Sequence, residues 1–383
     1  MTEVCIVAAQ RTPIGRFLGS LSRHSAVELA VHAGQAVLAD LPKESIDQVI
    51  VGNVLSAGQG MNVARQIGVG LRLPVSTPAY SVNMMCGSGL HSVVLAAQAI
   101  RAGDANVILC GGTESMSNAP HILPRSRIGT KFGNGQLLDT VLCDGLVDTF
   151  SGDHMALTAE RLADIYDISR AEQDAFAAQS QHRYAAAQQA TAFDSEVTWL
   201  DQLQTDEHPR PGSTVEQLAE LEPVFAADGT VTAGNASGIN DGSAMLVLAN
   251  RAVAEASGWT VLAIVSACSV VGCDPREMGL GPVHAIRQLC DTHGGTPEDF
   301  DTIEINEAFA AQALACIKEL QLDTARVNPC GGAIALGHPI GASGARLAVH
   351  LSHRIASGNI RTGLATLCVG GGMGVAVALQ SPD

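Results

Sequence analysis

Four short stretches of this 383-residue chain hold side chains that could do covalent chemistry. The first is Val82-Asn83-Met84-Met85-Cys86-Gly87-Ser88-Gly89-Leu90. An apolar strand ends, a cysteine follows, and small residues lead into an Ala/Val-rich helix. A thiol at a helix N-terminus meets the dipole and free N–H groups, which favour the thiolate. The two glycines would let a substrate approach the backbone closely. The competing reading is a buried inert thiol, and spacing alone does not separate the two.

The second stretch runs from Cys330 to Arg346 and places His338 between Gly337 and Pro339, ahead of a helix. So rigid a loop can hold an imidazole near a thiol, and a cysteine nucleophile needs such a base. The third is Leu367-Cys368-Val369-Gly370-Gly371-Gly372-Met373-Gly374. Its thiol could take a proton and its exposed N–H groups could hold an oxyanion; the bland reading is a hairpin with a buried cysteine. The fourth is Asn306-Glu307-Ala308-Phe309-Ala310, where Asn306 could position a water or a carbonyl, or simply cap a helix.

Other patterns fail on inspection. Gly58-Gln59-Gly60 lacks the third glycine of a dinucleotide fingerprint, because Val63 stands there. There is no phosphate-loop motif. His350 and His353 share a helix without an obvious third metal ligand.

These residues need a scaffold, and the pattern predicts one. Strand-like and helix-like segments alternate over residues 1–115, with strands at 4–8, 49–51, 79–83 and 105–110 and helices at 25–38, 60–68 and 89–101. The last third repeats the scheme. Strands fall at 261–271, 300–305, 364–369 and 373–379, and helices around 286–291, 308–320 and 343–355. Such alternation indicates a layered α/β fold. The two thirds also echo each other. Ile46-Asp47-Gln48-Val49-Ile50-Val51 resembles Phe300-Asp301-Thr302-Ile303-Glu304-Ile305, which suggests duplication. The middle, 117–238, is more polar. Ser169-Arg170-Ala171-Glu172 reads as a capping box for a long Ala/Gln-rich helix in an insertion that covers the site.

Composition narrows the function classes. Apolar residues make up 46% and charged residues 16%, which provides for a large core in two or three domain-sized units. A formal net charge of −16 makes nucleic acid and anionic membranes poor partners. The apolar runs reach about a dozen residues, short of the roughly 20 that a spanning helix needs. Ten cysteines without a Cys-x-x-Cys pair or a leader-like N-terminus predict reduced thiols in a cytoplasmic enzyme. Arg125, Arg127 and Lys131 lie in a stretch without acidic residues, suited to phosphate, to an acidic neighbouring subunit, or to nothing but solvent.

Taken in order, the Cys86 turn, the Asn306 segment, the His338 loop and the Cys368 glycine turn resemble the thiolase family over nearly the whole chain. The resemblance implies a thiolase fold, with duplicated mixed five-stranded sheets in an α/β/α/β/α layering and an inserted loop domain. It divides the chain into an N-terminal half (1–116 plus 239–265), a loop domain (117–238) and a C-terminal half (266–383). It implies that Cys86 is acylated with His338 as its base, and that Cys368 moves the α-proton of a second acyl-CoA. His338 and Asn306, the latter through a water, would form one oxyanion hole; the N–H groups of Cys86 and Gly370 would form the other.

His154-Met155 and Met278 resemble the acetoacetyl-CoA, biosynthetic branch, with Met278 shortening the acyl pocket. Arg210 would lie near the CoA nucleotide, and Ala233, Ala236 and Ser237 would line the pantetheine tunnel. Leu146, Phe225, Ala308 and Phe309 would complete the substrate site. Two departures stand out: Ala156 where glycine is usual, narrowing the acyl pocket, and Gln217 where a serine often contacts CoA. The implied activity is acetyl-CoA C-acetyltransferase, a reversible Claisen condensation by a ping-pong route. CoA is the substrate carrier, no further cofactor is needed, and the assembly is a homodimer or homotetramer with 125–131 at a contact. The rival readings are a degradative 3-ketoacyl-CoA thiolase, a decarboxylating condensing enzyme, and a non-catalytic lipid-binding relative. The second would lack a second cysteine, and the third would have lost Cys86, Asn306, His338 or Cys368.

Overall fold

The computed structural model describes residues 2–201 and 203–383. The N-terminal half opens with β1 (Val4–Arg11), β2 (Gly15–Arg16) and α1 (Ala26–Val37). It continues with β3 (Gln48–Gly52), α2 (Val63–Gly70), β4 (Ala79–Val82), α3 (Ser88–Ala102) and β5 (Val107–Ser115). The insertion carries β6 (His121–Ile122), β7 (Leu138–Asp139), α4 (Met155–Ile165), α5 (Arg170–Gln189) and α6 (Val215–Ala219). The chain returns through β8 (Asn240–Asn250) and α7 (Arg251–Ala256). The C-terminal half holds β9 (Ala263–Gly272), α8 (Gly281–His293), β10 (Thr302–Ile305) and α9 (Ala310–Leu320). It ends with α10 (Ala333–Leu336), α11 (Ser343–Ala356), β11 (Thr362–Val369) and β12 (Met373–Gln380).

Local signals set most boundaries. Ser25 and Ser169 cap α1 and α5 in full capping boxes with Glu28 and Glu172. The helix expected from residue 60 starts at Val63, because Asn62 turns left-handed and its side chain accepts the Arg65 N–H.

The strands follow one path, β10-β11-β12-β9-β1-β8-β5-β3-β4, and the halves meet at β1–β9 through two residue pairs, Cys5↔Ile264 and Ile6↔Ala263. Each half repeats one plan. In the N-terminal half the order is β4-β3-β5-β8-β1, and in the C-terminal half β10-β11-β12-β9 occupies the matching places. The fifth place there is held by a single parallel bridge, Ile303↔Val327, rather than a strand. Pro329 follows two residues later and has no N–H to extend the ladder. β9 crosses the expected 265/266 division, pairing with β12 from Ile264 to Gly272 and with β1 at Ala263 and Ile264.

Period-2 alternation sorts side chains into layers. Along β12, Val375, Val377 and Leu379 face one core, while Ala376 and Ala378 face another. The first of these cores lies between the two half-sheets and encloses α3 and α11, which pack on each other. Helix α11 is buried almost all round, as a central layer requires. Helices α1 and α2 cover the outer face of the N-terminal half, and α4, α5, α8 and α9 cover that of the C-terminal half. Five layers result.

A buried chain of charges ties the parts together. Arg11 on β1 binds Glu196 at 2.7 Å and grips Asp206 with two bonds of 2.7 and 3.1 Å, both carboxylates belonging to the insertion. Glu196 also binds His350 of α11 at 2.8 Å, and Glu304 of β10 lies 4.0 Å from His350 and 3.8 Å from Arg346. Burial opposes charge on Glu196, yet His350 and Arg11 outweigh it and bring its pKa down to about 2. Burial likewise opposes charge on His350, yet Glu196 raises it to about 10.

Arg11→Met strands two buried carboxylates and is expected to cost about 3–5 kcal/mol in chemical denaturation. His350, raised above its unfolded value, stabilises fully below about pH 6.5 and progressively less up to about 10. His350→Gln should therefore flatten the fall in unfolding free energy over that window; an unchanged slope would count against the pair.

Candidate active site

Two turns bring the chemistry to the central helices. After β4 the chain reaches Cys86 through Met85, which is left-handed at φ 46°. That conformation costs a side-chain-bearing residue roughly 1–2 kcal/mol. Ser88 offsets it: its hydroxyl donates to the Met85 carbonyl at 2.6 Å and accepts the Met84 N–H at 2.8 Å. Asn83 accepts the Met85 N–H at 3.0 Å. α3 then starts at Ser88, with Cys86 just ahead of its N-terminus. Gly87 and Gly89 serve packing between the halves rather than substrate approach. A Cβ on Gly87 would lie 2.8 Å from Val369, and one on Gly89 would lie 2.8 Å from the Gly341 carbonyl oxygen.

The second turn holds His338. Gly337 takes φ 103°, and a Cβ there would meet Asn240 at 2.5 Å. Asn240 of β8 accepts the His338 backbone N–H at 2.9 Å, which fixes the loop on the opposite half. The imidazole Nδ1 lies 2.5 Å from Ser343 Oγ, whose own hydroxyl donates to the Pro339 carbonyl at 3.0 Å. With that proton committed, Oγ accepts Nδ1–H, and the lone pair rests on Nε2. Asn306 Nδ2 stands 3.4 Å from Nε2. Asn306 is not a helix cap, since α9 begins only at Ala310. It sits behind His338, fully buried, with Oδ1 unpartnered and free to accept from a water.

Burial decides the resting protonation. It pushes Cys86 up to about 11, against the opposing influence of the Gly370 N–H. It drives His338 down to about 3, with Arg346 adding to the effect. Cys368, buried at the end of β11, is raised well above the ordinary range by burial and then by Cys86. Burial thus outweighs the helix N-terminus at Cys86, and across the site it favours neutral thiols and a neutral imidazole.

One cavity of about 350 Å³ collects these groups. Cys86, His338, Cys368 and Gly370 all line it. Leu146, His154, Met155, Phe225 and Met278 line the wall. So do Ala233, Ala236, Ser237, Ala308 and Phe309, and exposed Arg210 lies at the edge. His154 caps α4 by accepting the Ala156 N–H and stacks on Phe225 with ring centres 4.3 Å apart. Ala156 itself lies in the core and does not narrow the cavity directly. Gln217 is occupied in a capping box with Thr214. Met116, His208, Val224, Ile239 and Ile340 also line the cavity without having been anticipated. His208 lies beside Arg210 in sequence and Ile340 lies two residues beyond His338, so both carried a local signal; Met116 carried none.

The family model for the N-terminal domain of thiolase matches residues 4–252, and that for the C-terminal domain matches 259–381. An acetyl-CoA acetyltransferase of Chromobacterium violaceum is 51% identical over 391 residues, covering 99% of this chain and 100% of the relative. One from Pseudomonas aeruginosa is 50% identical over 394 residues, covering 99% of each. Human mitochondrial 3-ketoacyl-CoA thiolase, solved in complex with CoA, superposes with a TM-score of 0.97 at 43% identity, covering 100% of this chain and 98% of that one. The Bacillus anthracis acetyl-CoA acetyltransferase superposes with a TM-score of 0.96 at 40% identity, covering 99% of each chain.

Ser343→Ala removes the acceptor that sets the His338 tautomer. Steady-state kinetics should give a kcat reduced by about 10–100-fold, as for other partners that orient a histidine, with KM little changed. A normal kcat would refute the tautomer assignment.

Proposed function

The chain belongs to the thiolase family, and on that premise we propose how its residues divide the work of an acetyl-CoA C-acetyltransferase. The reaction joins two acetyl-CoA molecules into acetoacetyl-CoA and CoA, reversibly. The observation that carries the reading is the convergence of Cys86, His338, Cys368 and Gly370 on one cavity whose wall holds the anticipated CoA-site residues.

In the first half-reaction His338 Nε2 takes the Cys86 proton as the sulfur attacks the thioester carbonyl. The N–H groups of Cys86 and Gly370 face the oxyanion, each worth roughly 3 kcal/mol. CoA leaves as acetyl-Cys86 forms. Burial holds Cys368 protonated, so solvent does not ionise it. The departing CoA sulfur takes the Cys368 proton as the C–S bond breaks, while His338 keeps the proton from Cys86. Cys368 is thereby left as the thiolate that the second half-reaction needs.

A second acetyl-CoA gives its α-proton to Cys368. His338, now carrying the proton from Cys86, donates to the enolate oxygen together with a water held by Asn306. The carbanion attacks acetyl-Cys86, the tetrahedral oxyanion collapses, and Cys86 leaves as a thiolate. His338 then returns its proton to the Cys86 sulfur; Cys368 already carries the α-proton, so the resting site is restored.

Residues 117–238 form the loop domain over the CoA site in this reading. The exposed 122–137 arm, with Ile128, Phe132 and the three cations, contacts another copy in a homodimer or homotetramer. Among the described residues no helix is long and apolar enough to cross a membrane; we place the enzyme in the cytoplasm. CoA is the substrate carrier and no other cofactor enters the steps above. A degradative enzyme of broader chain length is the second reading, favoured by the human 3-ketoacyl-CoA thiolase likeness. Against it, Met278 lines the cavity, where the family resemblance has it shorten the acyl pocket.

Cys86→Ala should abolish synthesis and thiolysis, and intact-mass analysis of wild type with acetyl-CoA should place one acetyl group on the Cys86 peptide. Cys368→Ala should still acetylate but not condense; full condensation there would remove it as the base. Thiolysis of acetoacetyl-CoA should exceed that of longer 3-ketoacyl-CoA substrates, and a flat chain-length profile would favour the degradative reading.

A further inference from the structure

Glu114, next to the last residue of β5, is fully buried and off the cavity wall. Its carboxylate accepts four hydrogen bonds. One oxygen takes the backbone N–H of Val54 at 3.0 Å and that of Gly341 at 3.0 Å. The other takes the N–H of Leu55 at 3.1 Å and the side-chain amide of Asn53 at 2.9 Å. Residues 53–55 follow β3 in the N-terminal half, and Gly341 lies three residues past His338 in the C-terminal half. The fit is close: a Cβ on Gly341 would come within 2.6 Å of the carboxylate. The residues so held also touch the nucleophile, because Val54, Leu55 and Ile340 form an apolar cluster against which Cys86 and Met85 pack.

We propose that Glu114 is a positioning residue that sets the register of the His338 turn against the Cys86 turn, and that it does so only when ionised. This rests on the reading that Cys86 and His338 act as a pair. All four neighbours are donors, so a carboxylate satisfies each of them, whereas a protonated carboxyl turns an O–H toward an N–H and loses an acceptor. The titratable groups facing it are Asp241 on β8, a like charge, and Cys86 itself; no cation pairs with it among the described residues. Burial raises its pKa to about 7, against the three backbone N–H groups.

The sign matters for the test. The folded value lies above the unfolded one of about 4.3, so ionised Glu114 lowers fold stability as pH rises through that window. The same ionised form holds the turns together. Register and stability are thus set against each other, and a melting temperature alone does not report the register.

The test compares wild type with Glu114→Gln and Glu114→Asp across about pH 5.5–9, following kcat/KM for acetoacetyl-CoA thiolysis and the rate of Cys86 alkylation by iodoacetamide. Glutamine keeps the size but turns an N–H pair toward donors. Folded Glu114→Gln should lose about tenfold to a hundredfold in kcat, as expected for a misplacement of about 1 Å, with KM changed much less. It should also lose the acid limb centred near pH 7 and alkylate more slowly, and Glu114→Asp should restore part of the rate. A folded Glu114→Gln with the wild-type kcat and acid limb overturns the proposal. If that variant does not fold, hydrogen exchange of wild-type peptides spanning Val54, Leu55 and Gly341 decides. Protection corrected for intrinsic rate should fall below about pH 7, and constant protection overturns the proposal. Wild type that forms no acetyl-Cys86 sinks the parent reading instead, which keeps the two failures distinct.

Discussion

The close approach of α3 to α11 is the constraint on which the rest of the molecule depends. Both helices lie between the half-sheets, and each is preceded by a residue of the proposed catalytic pair: Cys86 before α3, His338 before α11. Glycines permit the contact. A Cβ on Gly344 would come 2.6 Å from Leu90, and one on Gly112 would meet the Gly341 carbonyl. Bulk at any of these positions would wedge the halves apart and separate thiol from imidazole. The duplicated fold thus builds one site from both halves, Cys86 from the first and His338 and Cys368 from the second, because the halves pack by their corresponding helices.

That same burial sets the electrostatics. A site enclosed between two sheets is dry, and a dry site disfavours isolated charge. Cys86, Cys368 and His338 are all pushed toward their neutral forms. The partner of His338 Nδ1 is the neutral hydroxyl of Ser343, which stabilises an imidazolium less than a carboxylate would. Charge is therefore created and consumed within each step, where the N–H of Gly370 and the amide of Asn306 can meet it.

Charge that is kept permanently lies elsewhere and is balanced. Arg11, Arg346 and His350 face Glu196, Asp206 and Glu304 across β1, β10, α11 and the insertion. Burying six ionisable groups gains little net stability over apolar packing. It does make the position of the insertion specific, because any other arrangement leaves a buried charge unpaired. The insertion supplies Leu146, His154, Met155 and Phe225 to the cavity wall, so its placement shapes the acyl site.

Much of this was legible in the residue order. The four motifs, the strand and helix alternation and the echo between the halves are local patterns, and the strands and helices formed within a few residues of their expected places. Of the cavity residues inferred from family resemblance, Ala308 and Phe309 lie in one of those motifs, whereas the others reach the cavity from the insertion or, for Met278, from the segment before α8. Tertiary structure alone decided what depends on neighbours distant in sequence. It placed Gly341 against Glu114, 227 positions away, and gave Gly87 and Gly89 a packing role. It set aside the helix-cap alternative for Asn306 and placed it against His338, left the fifth place of the C-terminal half to the single Val327 bridge, and raised the pKa of Cys86 by burial. A residue's type states which proton it can carry. Whether it carries that proton depends on how much water and which dipoles surround it, and those are set only when the two halves close on each other.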